Sequence, residues 1–573
     1  MNKLLELIFP VMTWGPKYSL DRFRSDLVAG TVVVFVTVPQ VIAYAFLAGM
    51  PAEAGLYAAM MSLVGYAIFG SSRALAVGPT AIIAMMTLEA ASSYAIPGTV
   101  DYTETVVQLC VVTGIVLIVL RVVNFGSVIS FLSHAVVTGF ITAAAILIIS
   151  NQLPLMIGLA SSPDTSIVGV YRYLFEETSQ FNQVVFIVSL VAVAILVFCK
   201  TYLGSLLKRT GLADEVIDSL VKSAPMYAVV IGVVSVRLFS LDTTFGVPVV
   251  GNIPTVLPDI NIVLMSLERF QALLPSSLLI SMVIFMESTS IGTAIASKAR
   301  EKINPNQELV GLGVANLGSS LVGGFPVAGS FARSIVNFSS GSVSPVASLV
   351  TAFLVMMTIL LFATLFFHLP KGVLSAIIVI SAWQLIDFQA VRKIFSFNAT
   401  DAVTFVFTFL AVLSLGVESG VLIGIAISFV LLIRSSSKPR IAVVGRVGDS
   451  EHFRNVERYD VRTSPKLLAL RVDESLYFVN TRFIETFILN DVADRREVEH
   501  VLLICTSINF IDTSGLEMLE ELSENLSEVG VTLHMAEVKG PVMDKLKETG
   551  FYRNMNGQIF FTTDIAMKEL AGI

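Results

Sequence analysis

Three side chains that ordinarily sit in water lie inside long apolar runs of this 573-residue chain. Glu287 is in LLISMVIFMESTSIGTAI, Arg333 in GGFPVAGSFARSIVNF and Gln40 in TVVVFVTVPQVIAYAFLAGMP. A carboxylate at membrane depth is expensive, and its default meaning is functional. Apolar surroundings favour the protonated carboxyl, so Glu287 can take up and release a proton. Arg333 brings a fixed positive charge suited to an anion. A proton on Glu287 removes a negative charge beside an incoming anion, so the two would bind with positive coupling. The plainer alternative makes Glu287 a hydrogen-bond partner of Arg333 or of nearby backbone. Gln40 and Tyr44 stand at i and i+4, on one helix face. They either line a site or join neighbouring helices.

The elements that must position these groups are broken helices. Gly323, Gly324 and Pro326 stop any incoming helix, Gly329 and Ser330 offer a new start, and Phe331 to Phe338 can run as a short helix. A helix start inside a membrane is tolerated only where it faces protein, water or a ligand. Its unpaired N–H groups and positive dipole end suit an anion. The stretch GSSRALAVGPTAIIAMM repeats the device: Gly78 and Pro79 open a helix with proline in its first turn. The two starts are about 250 residues apart. Matching broken segments in two halves point to an inverted-repeat transporter with its site between them. LSHAVVTGFITAAAILIISNQL, from Leu132, and LPKGVLSAIIVISAWQLID, from Leu369, form a weaker echo. Pro39 is expected to interrupt the first span.

Hydrophobic residues make up 55% of the chain and charged residues 14%, so it is a polytopic helical membrane protein. Apolar segments fall near 27–47, 54–70, 79–95, 105–123, 128–150, 183–199 and 222–240. A second set of seven falls near 272–297, 307–323, 329–341, 346–368, 370–386, 397–414 and 418–434. With the N-terminus inside, inner loops carry Arg73, Arg121, Lys200, Lys208, Lys298, Arg300 and Arg434, and outer loops carry mainly acids. That satisfies the positive-inside rule and puts both termini in the cytoplasm. Residues 1–26 read as a cytoplasmic segment and 435–460 as a linker. Residues 461–573 alternate strands with helices, which argues a small α/β domain. The net charge of -7 says little about partners, and no basic patch suggests nucleic acid, so no nucleic-acid partner is expected. The three cysteines are too far apart for a metal site or a disulfide framework. The absence of GxxxxGK[ST] argues against ATP-driven transport. No nucleophile–base or metal constellation suggests an enzyme, and no cofactor is expected.

Five stretches, in order, carry a resemblance. They are VPQVIAYAFLAGMPAEAGLYAA, GSSRALAVGPTAI, FLSHAVVTGFITAAAILIISNQL, NQELVGLGVANLGSSLVGGFPVAGSFARSIVN and INFIDTSGLEML. Together the chain resembles the SulP family of anion transporters followed by a STAS domain. The resemblance implies fourteen membrane segments as two inverted repeats of seven, with a core domain moving like an elevator against a gate domain. It implies an anion site between the starts of the third and tenth segments. That places the anion at Gly78, Pro79, Thr80 and Ala81 and at Gly329, Ser330, Phe331, Ala332 and Arg333, with Gln40 and Tyr44 lining it. It also implies a homodimer in a bacterial inner membrane.

The same resemblance sharpens the coupling. The position of Glu287 is Glu in sulfate/proton symporters of plants and Asp in cyanobacterial sodium/bicarbonate symporters. The sodium-coupled members add a Thr four residues later, where this chain has Ile291, which favours a proton. The expected activity is sulfate/proton symport. The alternatives are bicarbonate or dicarboxylate transport, with Ser288, Thr289 and Ser290 leaving sodium open, or an uncoupled anion channel or exchanger. The chain departs from the family in having Ala332 where Ser is common, and Thr37 where some animal members carry a second Gln. Glu89 is a second candidate proton group. Glu53 and Glu418 read as interfacial, His134 and His368 as segment ends, and Arg73 as a loop anchor. In the C-terminal domain Asp512 can cap a helix and Thr513 presents a hydroxyl at its start. Similar bacterial anti-sigma antagonists are phosphorylated at the position of Thr513, a candidate regulatory site here.

Overall fold

The structure, a computed structural model, describes residues 10–126 and 133–573. The first nine residues of the expected N-terminal segment, and Leu132 at the head of the fifth, lie outside the described residues. Each of the fourteen apolar segments carries a helix. In the first half these are α1 (Leu20–Leu47), α2 (Ala52–Phe69), α3 (Ala81–Ser92), α4 (Val100–Val122), α5 (His134–Met156), α6 (Gln183–Phe198) and α7 (Ala224–Phe239). In the second half they are α8 (Leu267–Ala299), α9 (Pro305–Leu321), α10 (Phe331–Ser339), α11 (Val346–Met357), α12 (Lys371–Trp383), α13 (Ala399–Leu415) and α14 (Val417–Ser437). Among the described residues nine helices are long and apolar enough to cross a membrane, or ten if one bent pair is a single span. Both α10 and α3, the two helices expected to begin at membrane depth, are short.

Two expectations change. Pro39 does not interrupt the first span: α1 runs unbroken from Leu20 to Leu47. The last part of the expected N-terminal segment belongs to that helix, and Asp26 is buried within the fold. The Asp26 carboxylate accepts from Tyr18 Oη at 2.9 Å, from the N–H groups of Val343 and Ser344 at 2.8 and 3.1 Å, and from Ser344 Oγ at 2.6 Å. It clamps the loop after α10 to α1. Ile167–Glu176, Asp214–Lys222 and Phe388–Phe397 are further helices, amphipathic ones that a search for apolar runs passes over.

The helices sort into two bundles by their packing. In the first, α9 lies on α2 and α4, α11 on α1 and α2, and α8 on α4, with α3 and α10 held among them. In the second, α5 packs on α12 and α13, and α6 on α7 and α12. The bundles meet where α1 crosses α7 and α12, and where α3 touches α5. Small residues set the closest approaches. A Cβ on Gly55 of α2 would stand 2.0 Å from the Val41 carbonyl oxygen of α1, so only glycine fits there.

The chain divides into two compact units, Met1–Ile425 and Ala426–Ile573. The second unit is built on a six-stranded sheet. Its strands are β3 (Ile441–Arg446), β4 (Phe453–Asn455), β5 (Leu467–Val472), β6 (His500–Ile504), β7 (Thr532–Ala536) and β8 (Ile559–Phe560), in the order β4-β3-β5-β6-β7-β8. β5 to β8 are parallel and β3 is antiparallel to both neighbours. The stretch 435–460 is therefore not a free linker: it supplies β3 and β4, and KLLALRV lies as β5 between β3 and β6. Leu468, Leu470, Val501, Leu503 and Leu533 fill one face of the sheet, and Ala469, Leu502, Ile504 and Ala536 the other. This alternation is what a sheet covered on both faces requires.

Candidate functional site: two uncapped helix starts and an unpaired carboxylate

The starts of α3 and α10 are held together by a minimal sheet. β1 (Val77–Gly78) pairs antiparallel with β2 (Ala328–Gly329), Val77 opposite Gly329 and Gly78 opposite Ala328. The Ser330 N–H adds a bond to the Ala76 carbonyl at 3.0 Å. Two strands arriving from opposite directions leave two helices starting back to back.

Neither start is capped. Elsewhere the chain caps its helices in the ordinary way: Thr99 accepts from Tyr102 N–H, Ser266 from Arg269 N–H, and Asn304 from Asn306 and Gln307 N–H. Thr80 and Ser330 occupy the same position before α3 and α10, yet neither side chain accepts such a bond. The first N–H groups of each helix, at Ala81 to Ile83 and at Phe331 to Arg333, are left without a capping side chain. The Thr80 hydroxyl is buried and has no hydrogen-bond partner among the described residues. Four residues expected at the site give it no backbone donor. Gly329 N–H donates to Ser288 Oγ at 2.8 Å and Ser330 N–H is in the ladder. Gly78 is in the ladder too, and Pro79 has no N–H. Their part is to hold the two starts.

One cavity of about 320 Å³ opens on this junction. Gln40, Tyr44, Thr80 and Ala81 line it together with Glu287, Ser330, Phe331 and Ala332. The opposite wall comes from the second bundle, through Leu196, Pro225, Ile377, Ser381 and Gln384, so the cavity lies between the bundles. Lys200 and Lys222 line it as well. In the sequence Lys200 reads as a loop charge, and Lys222 carries no signal of its own. The Lys222 ammonium donates to Asp218 and to Ser339 at the end of α10. A larger cleft of about 600 Å³, near Val191, Phe198, Leu207 and Ile231, is apolar and offers an anion little.

Arg333 is not part of that lining. Its side chain is 1% exposed and its Nη2 donates to the Pro79 carbonyl at 2.6 Å. A Cβ on Gly78 would stand 3.0 Å from Nη1, so glycine makes room for the guanidinium. Arg333 is a strut from α10 to the turn before α3, and it keeps electrostatic contact with Glu287 and Tyr44. It acts on the cavity through its charge and through the spacing of the helix starts.

The buried carboxylates of the first bundle differ in how well they are paired. Asp26 is saturated as described above. Glu308, which nothing in the sequence singles out, accepts from Tyr66 Oη at 3.0 and 2.8 Å and from Ser71 through N–H at 2.9 Å and Oγ at 2.6 Å. These two do structural work. Glu287 Oε2 is buried with no hydrogen-bond partner among the described residues, as is Gln40 Oε1. Buried polar atoms are nearly always paired, so unpaired ones gathered on one cavity mark a place for a ligand. Glu89 is spent elsewhere: its Oε2 accepts the Val417 N–H at 2.9 Å and so caps α14. The Thr37 hydroxyl is also spent, on its own helix at Val33. Arg73 pairs with Glu301 at 3.1 Å and His368 meets Asp242 at 3.3 Å, away from the cavity.

A further layer of side chains holds the broken segments. Asn316 of α9 donates to the Val327 carbonyl at 3.1 Å and accepts its N–H at 2.9 Å. Ser334 Oγ accepts from Ala76 N–H at 2.9 Å, and Asn337 donates to the Ala74 carbonyl at 3.1 Å. Sequence reasoning missed all three. Their signal was a polar side chain on an otherwise apolar or small-residue helix face.

The Sulfate permease family profile matches residues 23–408, and the STAS domain profile matches 458–566. The chain belongs to the sulfate permease family. Among relatives, it is 30% identical over 569 residues to "Probable sulfate transporter 4.2" of Arabidopsis thaliana, covering 97% of this chain and 82% of that one. It is 30% identical over 558 residues to "High affinity sulfate transporter 2" of Stylosanthes hamata, covering 95% and 83%. Among solved structures it is similar to SLC26A9, with a TM-score of 0.88 at 20% identity over 100% of this chain and 95% of that one. It is also similar to the transmembrane domain of the cyanobacterial bicarbonate transporter BicA, with a TM-score of 0.60 at 20% identity over 72% and 98%. At such identities the two structures speak for the helical membrane fold alone, and the C-terminal STAS domain rests on its own profile. In this sulfate permease family member the first profile spans α1 to α12 and enters α13, so it contains the whole cavity.

Proposed function

We propose that the chain is a secondary active transporter that carries sulfate together with a proton. The observation that carries this is the meeting, on one cavity between two bundles, of two uncapped helix starts with an unpaired carboxylate. The helix starts supply donors and positive dipole ends for an anion, and Glu287 supplies the proton site. Sulfate is favoured by the relatives, whose names are those of sulfate transporters and whose length the chain nearly spans. The anion is held by N–H groups of Ala81 to Ile83 and Phe331 to Arg333, with Gln40, Tyr44, Thr80 and Ser330 around it. Arg333 adds charge from behind and fixes the two starts. A cavity between bundles fits alternating access in which the first bundle slides against the second. Residues 27–434 carry this activity, in a plasma membrane with both termini cytoplasmic, and the protein works as a homodimer.

The proton is favoured over sodium because a hard cation needs several oxygens. Ser288 already accepts a backbone N–H, and Ile291 offers no oxygen. In the STAS domain Asp512 does the capping, accepting from Gly515 N–H at 2.8 Å, and Thr513 is left exposed at the helix start. A phosphate there would meet the positive helix end, so Thr513 is the regulatory position.

The test is radiolabelled sulfate uptake into proteoliposomes with and without an inward proton gradient. Bicarbonate and fumarate serve as competitors, and Glu287→Gln runs in parallel. Proton-stimulated uptake that is lost in the variant is expected. Uptake indifferent to protons and to the variant, but dependent on sodium or competed by bicarbonate, sinks the proposal.

A further inference from the structure

A second, smaller cavity of about 100 Å³ lies on the same bundle interface, next to the first. Three helices pass both. α3 gives Thr80 and Ala81 to the large cavity and Leu88 to the small one. α1 gives Gln40 to the large and Leu47 to the small, and α12 gives Ser381 and Gln384 to the large and Lys371 and Ser375 to the small. The two linings adjoin: neighbouring residues Ala43 and Tyr44 of α1, and Ile377 and Ile378 of α12, divide between them.

The small cavity is polar where an apolar seal would do. Gln152 is 3% exposed and Ser375 is 1% exposed, both line it, and among the described residues neither side chain makes a hydrogen bond. Lys371 lines it too, and among the described residues its ammonium makes no ion pair or hydrogen bond. The ammonium lies over the Phe46 ring, 5.4 Å from its centre. A half-exposed cation shares one small space with a buried carboxamide and a buried hydroxyl that are not hydrogen-bonded among the described residues, a set of donors that suits an acceptor-rich ligand. The repeat supports the same conclusion. α5 and α12 carry the echoing sequences, and the polar end of each, Gln152 and Gln384, lines one of the two cavities. By the charge distribution of the loops the start of α12 faces outward, so Lys371 is a basic residue on the side where such residues are scarce.

We propose that this cavity is a second anion site, which holds a small inorganic oxyanion on its way between the outer surface and the main cavity. Lys371 supplies the charge, and Gln152 and Ser375 supply neutral donors. The site presupposes the transport role proposed above only for its place on the route, not for binding.

Two measurements on the full chain test it. The first is sulfate flux in right-side-out and inside-out membrane vesicles. Lys371→Met should raise KM for sulfate presented from outside by roughly tenfold, the loss of one charge-assisted contact, and leave KM from the inside unchanged. Lys371→Arg should stay near wild type. Equal effects on both faces, or none on either, overturn the proposal. The second does not depend on transport. Ser375→Cys is labelled from outside with a membrane-impermeant thiol reagent, against three native cysteines that are all buried. Sulfate should slow the labelling, and Lys371→Met should abolish that protection. A Ser375→Cys variant whose new thiol cannot be labelled, or is not protected by sulfate, also overturns it. Protection without any sulfate flux in the wild type would instead refute the transport role and leave the anion site standing.

Discussion

Glu287→Gln should uncouple sulfate binding from pH, and the size of the effect follows from the cavity. A space of about 320 Å³ puts a central ion roughly 6 Å from a group on its wall. At that distance an ionised Glu287 repels a divalent anion by about 5 kcal/mol at an effective dielectric constant of about 20. Water entering the cavity screens this, and a residual of about 2 kcal/mol is roughly thirtyfold in affinity. The sign is fixed by charge. Acid loads the carboxyl, removes the repulsion and tightens binding, and alkali does the reverse. By linkage, sulfate binding above the titration of Glu287 must take up a proton from solution. The assay is sulfate binding to the purified protein across a pH series, with proton uptake followed by an indicator in weak buffer. Glu287→Gln, neutral and nearly isosteric, should bind sulfate as tightly at alkaline pH as wild type does in acid, with no proton taken up. A wild-type affinity that is flat with pH, or a pH dependence that survives in Glu287→Gln, would refute the reasoning and return Glu287 to a structural role.

Arg333→Met should remove the bond to Pro79 and the charge behind the cavity, weakening sulfate binding by about 1.5–3 kcal/mol, with Arg333→Lys intermediate; titration of sulfate into each variant checks this, and unchanged affinity excludes Arg333. Glu308→Gln should lower the melting temperature, since it disturbs bonds to Tyr66 and Ser71 worth about 1–3 kcal/mol, yet leave the pH dependence of sulfate binding intact. The C-terminal unit should lose stability in acid through His534. Burial first, and His500 second, hold its folded pKa down at about 4, below the unfolded value of about 6.5. The unfolded chain therefore takes the proton first, so this stability is present above about pH 6.5 and is lost as the pH falls toward 4. Urea unfolding of residues 438–573 at several pH values, with His534→Leu as the flattened control, measures it.

What the sequence revealed and what it concealed divide along physical lines. Apolar runs, the Gly/Pro breaks at Gly78–Pro79 and Gly323–Pro326, and a lone Glu287 are local signals, because the membrane penalises any departure from an apolar helix. Fourteen helices, among them the two that start at the breaks, could be read from them. The direction of a side chain is not local. Arg333 could have pointed into the cavity or behind it; what decides is the Pro79 carbonyl, which belongs to a segment about 250 residues away. The β1–β2 ladder is two residues on each side, too short to leave a pattern. Asp26 and Glu308 stand near segment ends, where charge reads as surface, and only long-range partners such as Ser344 and Tyr66 show that they are buried. The same logic tells the two kinds of carboxylate apart. A structural acid brings its donors with it from distant segments, as Asp26 and Glu308 do. Glu287 has been given none for Oε2 within the described fold, and the protein gains nothing in stability by burying it so. An acid kept bare on a cavity that also holds two uncapped helix starts is what the proposed symport requires, a place for a proton beside a place for an anion.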